Sequence, residues 1–123
     1  MVKKQTTSVA RPLTGQIGYI DFDPSSGKEI QKRRPALVIS TDDFNKTGFC
    51  MVCPITHTEK SLFVELPSNL KVDGYVNVIQ ASTIDWRSRD WEFSDNCPEE
   101  VVEEVQEIVA ASIFGDCSIT RLN

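Results

Sequence analysis

The apolar residues of this chain fall into strand-length runs closed by turn residues, and only after Pro98 do they take up a helical spacing. In QIGYIDFDP, Ile17, Tyr19, Asp21 and Asp23 alternate with Gly18, Ile20 and Phe22, and Asp23-Pro24 stops the strand. PALVIS follows as a nearly continuous apolar strand with Pro35 at its first position. Asn45-Lys46-Thr47-Gly48 is a turn into a strand that contains FCMVCPI and ends near Thr56. LFVEL from Leu62 and YVNVIQAST from Tyr75 are two further strands on either side of an Asp73-Gly74 turn. Thr83 to Asp90 reads as a short turn or helical piece, and Trp91 to Phe93 as one more short strand.

Pro98 fits the first position of a helix capped by Asn96 or Cys97, and Gly115 ends it. Along that helix Val101, Val105, Ile108 and Ser112 form one row, flanked by Val102, Val109 and Ile113. Short strands without βαβ alternation, closed by one amphipathic helix, predict a mainly β fold: a small, strongly bent antiparallel sheet or barrel covered by a C-terminal helix. With 123 residues and 40% hydrophobic content, the chain has room for one core. The expected organisation is a basic, mobile arm over residues 1–14, a single domain over 15–115 and a tail over 116–123. No run approaches the roughly 18 apolar residues of a membrane span, and no apolar segment follows the basic N-terminus, so the expected location is the cytoplasm.

The net charge of −5 is unevenly spread. Glu99, Glu100, Glu103, Glu104 and Glu107 sit on the terminal helix; without these five, 13 acidic residues face 13 basic ones. Lys28, Lys32, Arg33 and Arg34 crowd the segment before Pro35 with only Glu29 against them, a pattern that suits a solvated loop or a phosphate-binding one. The four cysteines include Cys50-x-x-Cys53, but residues three apart on a strand point to opposite faces and cannot chelate one ion. Structural, reduced thiols are expected, with no metal site.

Ser25 to Arg34 is long for a strand connection and therefore a candidate functional loop. Cleaving RNA without a metal needs a base for the 2′-hydroxyl, an acid for the leaving 5′-oxygen, and a cation for the crowded phosphorus centre. Arg34, anchored by Pro35, suits the last role; the alternative is an ion pair with Asp21 or Asp23 on the neighbouring strand. Thr56 ends a strand where its hydroxyl can bind a phosphate oxygen or simply the backbone. His57 is the one histidine of the chain, which excludes a two-histidine mechanism, and such a residue is more often a surface one. Trp86, Arg87, Arg89 and Trp91 interleave cation and aromatic, a composition that can stack bases or pack a core.

GQIGYIDFDPSSGKEIQKRRPALVIS, beginning at Gly15, resembles the opening signature of the MazF/PemK/Kid toxins: a strand ending in D-x-D-P, a G-x-E loop, then R-P and an apolar strand. NKTG, CPIT, the Gln80 segment followed by IDWRSR, and PEE opening a final helix recur in the same order, so the resemblance covers roughly residues 15 to 115. It implies an SH3-like β-barrel of the MazF/Kid/CcdB kind, a homodimer, a cognate antitoxin partner, and ribosome-independent, sequence-specific cutting of single-stranded RNA by 2′-hydroxyl attack, with no metal or other cofactor. Carried over by position, it implies catalytic roles for Arg34, Thr56 and Glu29. Gln80 matches a glutamine beside the substrate groove, and Lys32, Arg33, Arg87 and Phe22 complete the expected substrate-binding set. The Kid branch has an Arg-x-Asp before that glutamine where this chain has Asn77 and Ile79, so the arginine–threonine chemistry of the MazF branch is the expected mechanism. The fold is shared with gyrase poisons of the CcdB type, but those depend on a C-terminal Trp-Gly-Ile and this chain ends in ITRLN. A catalytically inactive barrel that binds antitoxin or RNA is the third reading.

Overall fold

The computed structural model describes residues 10–22 and 33–115. Glu29 and Lys32, with the rest of the segment 23–32, lie outside the described residues, as do residues 1–9 and 116–123. The elements are β1 (Gln16–Asp21), β2 (Arg33–Val38), α1 (Asp42–Asn45), β3 (Phe49–Thr56), β4 (Val64–Glu65), β5 (Tyr75–Val76), a 3₁₀ turn (Val78–Gln80), β6 (Ser82–Asp85), β7 (Glu92–Asn96) and α2 (Glu99–Phe114).

The strands form one antiparallel sheet in the order β4-β5-β3-β2-β1-β7, with β6 also on β3. Along one edge β3 pairs with β2; along the other it pairs first with β6, from Phe49 to Val52, and then with β5, at Ile55 and Thr56. A strand that changes partners along its length bends the sheet, and the result is the half-barrel with a terminal helix that the strand pattern predicts.

Both faces of that sheet are apolar. Ile17, Leu37, Cys53 and Ile55 point to one side, where Val102 and Val105 of α2 close the core. Ile20, Ala36, Val38, Cys50 and Val52 point to the other, where Trp86 and Trp91 cover them. Cys50 and Cys53 thus sit in different clusters, as strand alternation requires, and burial pushes each thiol up to about 12. Trp86 donates its indole N–H to the Asn45 carbonyl at 2.9 Å, which settles both tryptophans as core residues.

Several local expectations are corrected. Asn45 ends a short helix capped by the Thr41 hydroxyl, and its side chain is buried, donating to the Pro12 carbonyl at 2.9 Å. β2 starts two residues before Pro35; pairing with β3 begins only at Ala36, so at Pro35 the strand still has a free edge and tolerates proline. LFVEL is reduced to Val64–Glu65 because a turn takes the Phe63 N–H to the Lys60 carbonyl. YVNVIQAST breaks at Asn77, whose side chain accepts from the Ile79 and Gln80 N–H groups and caps the 3₁₀ turn. Thr83 belongs to β6, paired with Met51, and the turn occupies residues 86–90 instead. Pro98 is extended, with ψ 143°, so α2 begins at Glu99 without a side-chain cap. The apolar row of α2 is buried at Val102 and Val105 but leaves Ile113 and Phe114 in solvent.

Candidate active site

The β1–β2 register decides which arginine meets Asp21. Asp21 lies opposite Arg33 and Ile20 opposite Arg34. Arg33 therefore meets the carboxylates: its guanidinium pairs with Asp21 at 3.0 Å, Glu92 at 3.3 Å and Asp90 at 3.4 Å, and donates to the carbonyls of Tyr19 and Asp90. Of the two carboxylates raised as partners for Arg34, Asp21 pairs with Arg33 instead, and Asp23 lies outside the described residues. Arg33 ties β1, β7 and the 86–90 turn together, and it does not reach the cleft. Among the described residues, no carboxylate pairs with Arg34, which is exposed at the end of the sheet.

On the other edge of β2, Val38, Leu37 and Ala36 pair in turn with Val52, Cys53 and Pro54, so Arg34 and Thr56 arrive at the same end of the sheet. Both line a cleft of about 340 Å³ with Tyr19 of β1, His57 just beyond β3, and Lys71 and Asp73 of the following loop. The Thr56 hydroxyl oxygen accepts from the Thr58 N–H at 3.2 Å, which leaves its proton to donate into the cleft. Gly74 fits against the Thr56 carbonyl: a Cβ there would lie 2.5 Å from that oxygen, and φ is +128°. Across the cleft mouth the His57 Nε2 lies 3.1 Å from the Asp73 carboxylate. That bond is the first cause holding Asp73 below the usual carboxylate range. Asp95 is held low as well, by the Lys71 backbone N–H before that of Asn96, and so fastens the cleft loop to β7.

Comparison with known proteins places the fold in a family. The family described as "PemK-like, MazF-like toxin of type II toxin-antitoxin system" matches residues 13–113. The chain belongs to this family. The endoribonuclease toxin MazF of Escherichia coli K12 is 38% identical over 80 residues, spanning 63% of this chain and 72% of that protein. Endoribonuclease PemK of Escherichia coli is 30% identical over 98 residues, covering 74% of each. The crystal structure of MazF from Deinococcus radiodurans superposes with a TM-score of 0.75 at 35% identity, over 87% of this chain and 99% of that one. MazE–MazF from the same organism gives 0.73 at 33% identity, over 87% and 98%.

Within this MazF-like frame the expected site residues divide. Arg34 and Thr56 come together in the cleft. Gln80 is exposed at the end of the 3₁₀ turn, held by the Asn77 amide at 3.1 Å, and does not line the cleft. Arg87 stacks on the Trp86 ring at 5.0 Å, and Phe22 packs partly against the same tryptophan-bearing cluster while its carbonyl accepts from Arg89. Glu29 and Lys32 lie outside the described residues. Tyr19, His57, Lys71 and Asp73 line the cleft without having been nominated from the sequence. Only the position of His57 immediately after Thr56 could have singled it out.

Proposed function

We propose that the chain is the toxin of a type II toxin–antitoxin pair and that it cuts single-stranded RNA in a sequence-specific, ribosome-independent way at the cleft between Arg34 and Thr56. The 2′-hydroxyl attacks the adjacent phosphorus and the bond to the 5′-oxygen breaks, giving a 2′,3′-cyclic phosphate and a 5′-hydroxyl. One observation carries the assignment: a guanidinium with no ion-pair partner among the described residues and a free hydroxyl proton face the same space. A planar guanidinium gives two-point recognition of phosphate oxygens and charge stabilisation as negative charge builds, which is the work a metal would otherwise do. Glu29 is assigned a supporting catalytic role, and Lys32, Arg33, Gln80, Arg87 and Phe22 contacts to RNA outside the scissile phosphate. Residues 15–115 are the working domain, acting in the cytoplasm, where a cognate antitoxin masks the RNA surface. Among the described residues, no helix is long and apolar enough to cross a membrane.

The test is a long unstructured RNA incubated with purified protein in EDTA, with the ends mapped. Cleavage to cyclic-phosphate and 5′-hydroxyl ends is expected. Activity lost in EDTA and restored by a divalent ion, or 5′-phosphate ends, overturns the mechanism. Stabilised gyrase–DNA cleavage with RNA spared points to the poison reading.

A homodimer belongs to the same proposal. Ile113 and Phe114 are 67% and 69% exposed and border an apolar groove of about 270 Å³ with Ile39, Met51 and Val109. An exposed apolar surface of this kind marks a protein contact. Sedimentation of the wild type as a dimer, and of the Ile113→Asp, Phe114→Asp double variant as a folded monomer, is the expected outcome. An unchanged dimer places the interface elsewhere.

A further inference from the structure

Arg34 and Thr56 bind and stabilise a phosphate, but neither transfers a proton readily near neutral pH: the guanidinium stays charged and the hydroxyl stays protonated. RNA cleavage by this route also needs a proton delivered to the departing 5′-oxygen. The described groups that line the cleft with them include Tyr19 from β1, Lys71 and Asp73 from the loop before β5, and His57 from the end of β3. Phenol and ammonium ordinarily titrate near pH 10, and Asp73 is held as a carboxylate. An imidazole alone among these side-chain types both gives and takes a proton near pH 7.

We infer that His57 is a further catalytic residue of this cleft, the general acid that protonates the leaving 5′-oxygen, and that Asp73 is the residue that positions it. The inference rests on the endoribonuclease reading above. Three features of the geometry support it. His57 follows Thr56 directly, so the residue that binds the phosphate and the residue that serves the leaving group are set by one backbone segment. Its Nε2 is tied to Asp73 Oδ1 at 3.1 Å, which orients the ring and leaves Nδ1 as the nitrogen available to RNA. Asp73 is itself anchored by its neighbour Gly74, packed on the Thr56 carbonyl, so the dyad closes back on the phosphate-binding strand.

The charged groups around the imidazole are Asp73, which bonds it, Arg34 and Lys71, which line the same cleft, and Glu59, two residues along the same segment. An incoming phosphodiester brings its negative charge beside both cations and the imidazole. In the step itself the 2′-oxygen forms its bond to phosphorus and releases its proton to water. The phosphorus–O5′ bond breaks, and the electron pair left on O5′ takes the proton of the His57 imidazolium. Water then reprotonates the imidazole, and the proton count closes.

The experiment compares two substrates of the same sequence, ordinary RNA and RNA with a 5′-bridging sulfur at the scissile linkage, whose thiolate leaves without a proton. Wild type and His57→Gln are assayed across pH 5 to 9. On ordinary RNA, His57→Gln is expected to be about 100-fold slower and to lose the fall in rate at alkaline pH that marks an essential acid. On the sulfur-bridged RNA it should match wild type. Asp73→Asn, which removes the carboxylate that orients the ring, should be slower on ordinary RNA and near wild type on the sulfur-bridged RNA. Wild-type rates for His57→Gln on ordinary RNA, or equal losses on both substrates, overturn the acid role alone. No cleavage of either substrate by wild type overturns the endoribonuclease reading and the histidine assignment with it.

Discussion

Replacing Arg34 by alanine is expected to lower the RNA cleavage rate by roughly 100-fold or more while leaving the melting temperature nearly unchanged. The separation follows from the register. Arg34 stands opposite an isoleucine and forms no ion pair among the described residues, so the fold loses little with it. Arg33, one residue earlier, holds three carboxylates and two carbonyls. Arg33→Ala should therefore show the reverse, a lower melting temperature with a smaller effect on cleavage in the folded fraction. Arg34→Lys should remain poor, because an ammonium cannot reproduce the planar two-point contact with a phosphate. Cleavage rate, RNA affinity and melting temperature measured on all three variants decide the matter. Cleavage near wild type in Arg34→Ala or Arg34→Lys removes that residue from the chemistry.

Gly74→Ala is expected to damage both stability and activity. Its φ of +128° is strained for any side chain, at about 1–3 kcal/mol, and the new methyl group would meet the Thr56 carbonyl at 2.5 Å. Relief requires β3 and β5 to separate where Thr56 pairs with Tyr75, which moves the Thr56 hydroxyl away from Arg34. A fall in melting temperature of roughly 5–10 °C is expected, together with a loss of cleavage that persists at temperatures where the variant is folded. Gly48→Ala is the matched control: φ is +99°, but nothing lies within 4 Å of its Cβ position. It should cost stability and spare activity. Full activity in folded Gly74→Ala would show that the carbonyl contact does not set the position of Thr56.

Much of the architecture was legible because it depends on period and punctuation. Alternation placed Cys50 and Cys53 on opposite faces, and the continuous apolar run of PALVIS announced a strand, which the structure buries between two cores. What was not legible depends on partners distant in sequence. Asn45 looks like a turn residue until Pro12 and Trp86 are seen to bond it. Asn77 looks like part of a strand, yet its side chain competes for the backbone N–H groups that a ladder would use. At the site, the meeting of Arg34 with Thr56 follows from pairing register, and two adjacent arginines in sequence carry no sign of which faces the carboxylates. His57 and Asp73 are sixteen residues apart and join only through the loop between β4 and β5.

Both tryptophans of the chain lie in the same cluster, on the face of the sheet away from α2. Intrinsic tryptophan emission therefore reports on one layer of the molecule and is blind to the helix-covered layer, whereas circular dichroism near 222 nm is dominated by α2. The two optical signals observe opposite sides of a shared sheet. Recorded together during antitoxin or RNA titrations, they distinguish a ligand that loosens the helical side from one that tightens the indole side, without any label being introduced.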